Sequence, residues 1–129
     1  MTDTAGSRLR PHPDDRFRGN AMLVNLPDVA VVLRGERNAG ERGHRQETVF
    51  KQGNVTVALF VFDRFSHLAE HVAQGIVTMH VLKGWVKITA GDAEHELKAG
   101  HMLILNAGIR HGLKAEEESE VLVSVHLGS

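Results

Sequence analysis

The sequence predicts an all-β fold, a small antiparallel barrel with one short helix near its N-terminus. From about residue 48 onward, short runs rich in β-branched residues alternate with glycine-containing turns. No helical pattern interrupts these runs, which favours a sandwich or barrel of consecutive hairpins over a β-α-β fold. The length of 129 residues fits one domain, and a hydrophobic content of 42% is enough to form a core.

The predicted elements follow in a simple order. Residues 1–20 are polar, carry two prolines and are expected to form a loose tail before a single domain over residues 21–129. A helix is predicted over about residues 25–35, because Asn25 can cap it and Pro27 suits its first turn. The charged, glycine-punctuated segment 35–47 is predicted to be a surface loop. The strands predicted after it are TVFK, VTVALFVF, IVTMHVL, WVKITA, AEHELK, HMLILN and EVLVSVHL.

The composition excludes several kinds of site and partner. The chain contains no cysteine, which excludes disulfides, thiolate zinc sites and cysteine nucleophiles. This usage favours a reducing compartment, and we predict a cytoplasmic protein. The net charge of -1, with basic and acidic residues interspersed, provides no attraction to nucleic acid or to a membrane surface. The first residues lack the apolar stretch of a signal peptide, and no window approaches a membrane span.

The segment HLAEH, residues 67–71, matches H-x-x-E-H, which is typical of zinc hydrolases when it lies on a helix. In a helix, His67 and His71 share one face, and Glu70 stands beside them as a base. In an extended segment the two histidines lie about 13 Å apart, too far to bind one ion. Because Gly75 would interrupt the helix and only strands follow, we favour the extended alternative.

Two longer patterns surround the histidines at positions 71 and 111. The first runs through His71 to Gly84, and the second, GHMLILNAGIRH, contains Gly100, Gly108 and His111. Their spacing resembles the two motifs of the cupin family, in which a histidine-rich first motif and a glycine- and histidine-containing second motif are separated by a variable stretch. The resemblance covers roughly residues 55–127. It implies a cupin-type antiparallel β-barrel, also called a double-stranded β-helix or jelly roll, as in RmlC-like proteins.

The chain departs from these motifs at most of the positions that bind metal in cupins. In metal-binding members, two histidines and a glutamate of the first motif and the histidine of the second hold a divalent ion. Only His71 and His111 carry over, because Ala73 and Val77 stand at the other two positions. Two imidazoles alone bind zinc, nickel, iron or manganese weakly, since stable sites use three or four side chains. The candidates for a third ligand are His126 and His80.

The resemblance therefore implies a small-molecule pocket inside the barrel. Alternation along the strand that contains Val77 turns Met79 inward and His80 to the opposite face. The imidazoles would hydrogen-bond an anionic or hydroxylated ligand, and the apolar floor would accept an aliphatic or aromatic part. The predicted pocket residues are His71, Ala73, Val77, Met79 and His111.

Two alternatives remain open. One is a metal-dependent cupin enzyme of the oxygenase or isomerase type, in which His71, His111 and a nonstandard third residue hold the ion. The other is a regulatory sensor barrel resembling those fused to helix-turn-helix domains, which would act here through a partner. By the same resemblance, and because one small barrel leaves apolar strand faces uncovered, we expect a homodimer. The sequence identifies neither a ligand nor a reaction.

Overall fold

One helix precedes the strands in the computed structural model, which describes residues 19–36 and 44–128. This helix, α1, spans Leu26–Gly35. Asn25 caps it, because its side-chain oxygen accepts a hydrogen bond from the backbone N–H of Asp28 over 3.1 Å. Pro27 lies in the first turn, where its missing N–H costs nothing, and Arg34 lies in the last turn, beside the negative end of the helix dipole. The predicted helix is therefore confirmed.

The strands follow the helix in nine segments within the described residues. Their bounds are β1 (His44–Gln52), β2 (Val55–Phe62), β3 (His67–His71), β4 (Gly75–Lys83), β5 (Trp85–Ala90), β6 (Ala93–Lys98), β7 (Met102–Leu105), β8 (His111–Ala115) and β9 (Ser119–Leu127). Apart from β3 and β8, they coincide with or overlap the predicted runs, although β1 begins four residues before TVFK and β7 is one residue shorter than HMLILN at each end.

These strands form two antiparallel sheets. The larger sheet has the order β1-β2-β9-β4-β7, and the smaller sheet has the order β3-β8-β5-β6. Neighbours in both sheets come from distant parts of the chain, as with β9 between β2 and β4, which is typical of a jelly roll rather than a simple meander. The all-β class predicted from the rhythm of the sequence is confirmed. Within the described residues, no helix is long and apolar enough to cross a membrane.

The main core lies between the two sheets. Alternate residues of each strand face it, as period-two side-chain geometry requires. From the larger sheet come Phe60, Phe62, Val77, Met79, Val81 and Val121, and from the smaller sheet come Val86, Ile88, Leu97, Leu113 and Ala115. We call the face of each sheet that contacts this core its inner face, and the other its outer face.

Helix α1 covers part of the outer face of the larger sheet. Ala30 and Leu33 are buried there against Leu59 and Val61, whose neighbours on β2 face the main core. The guanidinium of Arg34 also forms ion pairs with the carboxylates of Glu118 and Glu120, at 3.5 and 2.9 Å. The helix is therefore attached to the sheet both by an apolar face and by charge.

The structure corrects the predicted element boundaries in three places. Strand β1 begins at His44, so residues 44–47 are not part of the predicted loop. Strands β3 and β8 were not predicted as strands. The segment HLAEH is the whole of β3, which removes the helical alternative for it. Most of the predicted tail, residues 1–18, lies outside the described residues.

Candidate functional site

Two histidines meet at one end of the smaller sheet. His71 is the last residue of β3 and His111 is the first residue of β8, and the two are paired in register. Their ring centroids lie 4.3 Å apart, with the rings in an edge-on arrangement. His111 is 1% exposed, whereas His71 is exposed to solvent. The pair therefore extends from the buried interior, at His111, to the solvent-exposed surface, at His71.

A β-bulge on β3 brings His71 to this position. Leu68 pairs with Leu113 and packs on the main core, so it faces inward. Strict alternation would then turn Glu70 inward and His71 outward. The register shifts between Leu68 and His71, however, and His71 lies opposite His111 instead. The extra residue of the bulge thus restores contact between the two rings.

A backbone hydrogen bond fixes the orientation of each ring. The Nδ1 of His111 lies 2.9 Å from the carbonyl oxygen of Ile109, and the Nδ1 of His71 lies 3.1 Å from that of Ala69. A carbonyl oxygen only accepts, so both Nδ1 atoms carry the proton and donate it. In a neutral ring the lone pair is then on Nε2. No side-chain pattern in the sequence marks Ala69 or Ile109, because only their backbone carbonyls take part.

Burial keeps His111 neutral. Removal from water lowers the pKa of His111 below its ordinary value of 6.5, and the charge of nearby His71 lowers it further. The hydrogen bond to Ile109 acts in the opposite direction and offsets only part of this effect. At neutral pH, the Nε2 of His111 is therefore a hydrogen-bond acceptor and not a positive charge.

The other predicted pocket residues belong to the apolar interior. Val77 and Met79 are 2% and 1% exposed and form part of the main core, so both face inward as predicted. Ala73 lies just beyond the end of β3, is partly buried and packs against the same core. Its carbonyl oxygen accepts a hydrogen bond from the backbone N–H of Gly108 over 2.9 Å, which links the loop after β3 to the loop before β8.

The structure does not bring His80 or His126 to the histidine pair. His126 hydrogen-bonds Ser124, which in turn contacts Thr78, and these residues lie on the outer face of the larger sheet, since Val123 and Val125 pack on the main core. His80 alternates with the inward-facing Met79 and Val81 and shares this outer face. Both candidate third ligands therefore lie on the outer face of the larger sheet and cannot bind the same ion as His71 and His111.

The donor set does not fit a resident metal ion of the usual cupin type. Among residues 19–36 and 44–128, no group of three or more histidine, cysteine, aspartate or glutamate residues is close enough to hold one. The pair supplies two imidazole nitrogens, and the carboxylate position is taken by buried Val77. A stable protein site needs at least one more ligand than this. The chemistry of the pair is therefore that of two imidazoles beside an apolar interior.

Sequence comparison identifies the family. The model of the AraC-like ligand-binding domain matches residues 53–123, more than half of the chain. The chain belongs to this family. The match includes both members of the histidine pair. A comparison with curated protein sequences found no match.

Structural comparison shows that the fold is a cupin fold. A conserved protein of unknown function from Streptococcus pyogenes is 20% identical, with a TM-score of 0.68 over 87% of this chain and 92% of the other. A cupin superfamily protein from Desulfitobacterium hafniense is 18% identical, with a TM-score of 0.67 over 94% of each chain. An RmlC-like cupin from Shewanella frigidimarina is 13% identical, with a TM-score of 0.64 over 67% of this chain and 78% of the other. The resemblance to a small cupin domain is confirmed.

Proposed function

We propose that this cupin domain binds a small, neutral, hydroxylated molecule at the His71–His111 pair. The observation that carries the proposal is the contact between one buried and one exposed imidazole, 4.3 Å apart between centroids, at the end of an apolar interior. Membership of a ligand-binding domain family supports a binding role. A few polar groups beside an apolar wall are the usual composition of a small-molecule site.

The hydrogen bonds of the pair select the chemistry of the ligand. Both Nδ1 atoms donate to backbone carbonyls, so the Nε2 atoms are the ring atoms left for a ligand. Because His111 is neutral, its Nε2 accepts a hydrogen bond, and a ligand must present a donor such as a hydroxyl or N–H group. A carboxylate would meet a lone pair there. We therefore favour the hydroxylated over the anionic ligand at neutral pH.

We expect the apolar part of the ligand to contact the core residues that the sequence predicts beside the pair. Ala73 is partly buried in the core surface, and Val77 and Met79 lie deeper in the same cluster. These side chains offer no hydrogen bond, so they suit carbon atoms of the ligand. A ring or short chain that carries adjacent hydroxyl groups combines the two requirements.

A matched pair of probes tests this proposal. Cyclohexane-1,2-diol and cyclohexanecarboxylate share the same ring, and only the diol can donate a hydrogen bond to the neutral imidazole of His111 near pH 7.5. We expect calorimetry to detect binding of the diol, and we expect His71→Ala to weaken it about fivefold, the effect of one hydrogen bond. His67→Ala is the control, since His67 lies at the other end of β3 and pairs with the outward-facing Lys114. Equal binding of the carboxylate, or no effect of His71→Ala, would refute the proposal.

Metal analysis checks the metal-dependent alternative. An oxygenase or isomerase of the cupin type would retain stoichiometric metal in protein purified without a histidine tag.

The homodimer stays a prediction. Size-exclusion chromatography with light scattering of the same sample measures the oligomeric state.

A further inference from the structure

A groove lies on the outer face of the smaller sheet, on the opposite side from the histidine pair. It is an open groove of about 510 Å³ that crosses β3, β8, β5 and β6. We call it the outer groove. Its charged and small lining residues include Lys87, Lys114, Thr89, Gly112, Glu70 and Glu94.

Two lysines lie side by side in the outer groove. Lys87 on β5 pairs in register with Lys114 on β8, and residues directly opposite in neighbouring strands have Cβ atoms about 5 Å apart. Like charges at this spacing destabilise a sheet. Within the described part of the chain, no carboxylate oxygen lies within 4.0 Å of either lysine nitrogen, the largest distance at which the two would form an ion pair. Glu96 of β6 pairs in register with Lys87, and Glu116 also lines the groove, but neither carboxylate forms an ion pair with the lysines. The two cations are therefore free to bind a further anion.

The next row of the same sheet carries the opposite charge. Thr89 and Gly112 are paired in register, two residues along the strands from the lysines, and Glu94 pairs with Thr89 from β6. On the other side, the Glu70 side chain lies against Gly112, since a Cβ built on this glycine would be 3.0 Å from the Glu70 Cγ. In the described structure neither glutamate forms an ion pair. Two small residues thus lie between two carboxylates.

From this arrangement we propose that the outer groove binds a small zwitterion, with its anionic group at Lys87 and Lys114 and its ammonium group between Glu70 and Glu94. Residues two apart on a strand are about 7 Å apart, so the two charges of the ligand are separated by about that distance. An extended ω-amino acid or a dipeptide has this form. A plain anion would satisfy the lysines and leave the carboxylates facing it.

The outer groove and the histidine pair lie on the same two strands, β3 and β8, but on opposite faces of the sheet. Glu70 immediately precedes His71, and Gly112 immediately follows His111, and successive side chains point to opposite faces. The zwitterion site is therefore separate from the histidine pair. Substitution of His71 serves as a control that distinguishes the two.

Three probes that differ only in charge test the proposal. 5-Aminopentanoate carries both charges, whereas pentanoate and 1-aminopentane each carry one. In ¹H–¹⁵N correlation spectra at low ionic strength, we expect 5-aminopentanoate to shift the amides of Thr89, Gly112 and Lys114 in a saturable way. We expect each single-charge probe to bind at least about threefold more weakly, the effect of losing one exposed ion pair. Added salt should weaken binding of the zwitterion.

Charge-removing variants localise the binding. Lys114→Gln and Glu94→Gln should each weaken binding of 5-aminopentanoate about threefold, and both residues are exposed, so folding is unaffected. Glu117→Gln is the matched control, because Glu117 is exposed and lies outside the groove lining. It should bind like wild type, as should His71→Ala. Equal binding of pentanoate, no saturable shift, or equal effects of Glu94→Gln and Glu117→Gln would each overturn the proposal.

Discussion

Buried His111 should make the folded protein less stable in mild acid. Burial lowers the pKa of His111 in the folded state, partly offset by the hydrogen bond to Ile109 and reinforced by His71, whereas the unfolded chain keeps the ordinary value of 6.5. Below pH 6.5 the unfolded chain therefore binds this proton more readily than the folded protein does. Stability is fully present above the unfolded pKa and decreases as the pH falls through it.

The size of the effect has an upper bound. Near pH 5.5, about ten in eleven unfolded chains carry the proton at this position. If folded His111 stays neutral, the free energy of unfolding decreases by RT ln 11, about 1.4 kcal/mol. Partial protonation of the folded state reduces this figure. The loss is a substantial fraction of the stability of an ordinary small domain, roughly 5–15 kcal/mol.

Urea denaturation of matched variants measures this contribution. His111→Leu keeps an apolar side chain in the buried site and removes the titrating group, and its other histidines are those of wild type. From about pH 7.5 to about pH 5.5, wild type should lose up to about 1.4 kcal/mol more stability than His111→Leu. His67→Leu replaces an exposed histidine of β3 and should follow wild type. If His111→Leu shows the same pH dependence as wild type, the argument from burial is wrong.

Three further predictions concern packing and the donor set. Leu33→Ala should lower the free energy of unfolding by about 2–5 kcal/mol in urea denaturation, because this side chain is 0% exposed, whereas Val32→Ala, at 54% exposed, should change it by less than about 0.5 kcal/mol. Gly84→Ala should cost at least about 1–2 kcal/mol, since φ is 98° there and the new Cβ would overlap Ser119; wild-type stability would contradict this. Ala73→His should bind zinc more tightly than wild type in calorimetry, because it adds a third imidazole near the pair, and unchanged affinity would show that these positions do not converge.

The rhythm of short β-rich runs and glycine turns was sufficient to predict the fold class. Runs such as WVKITA and AEHELK coincide with β5 and β6, because they have clear ends at Gly84, Gly91 and Gly100. In these positions the backbone has a positive φ, which favours glycine and so makes the turns visible in the sequence. The helix was predictable for a similar reason, since its cap and first turn have distinctive residue types.

The two strands that carry the histidine pair were not predictable in this way. Strand β3 lies at the edge of its sheet and exposes most of its side chains, so HLAEH has no alternation of apolar and polar residues. Strand β8 contains Gly112 near its start, and glycine usually argues against a strand. There the missing side chain leaves room for Glu70 of β3, a contact between residues far apart in the sequence. Local propensity carries no information about such a contact.

Alternation along β3 predicts the wrong face for His71. The spacing of the family motifs instead relates His71 to His111, with which it is paired in the structure. With Leu68 facing the core, alternation places Glu70 inside and His71 outside, whereas the bulge reverses the two. The motif spacing includes the bulge implicitly, because it relates His71 to His111 and not to its neighbours on β3. The same bulge assigns the charged Glu70 to the outer groove and the imidazole to the inner site. One additional residue in an edge strand therefore places Glu70 and His71 on opposite faces of a single sheet, one in the outer groove and the other in the histidine pair.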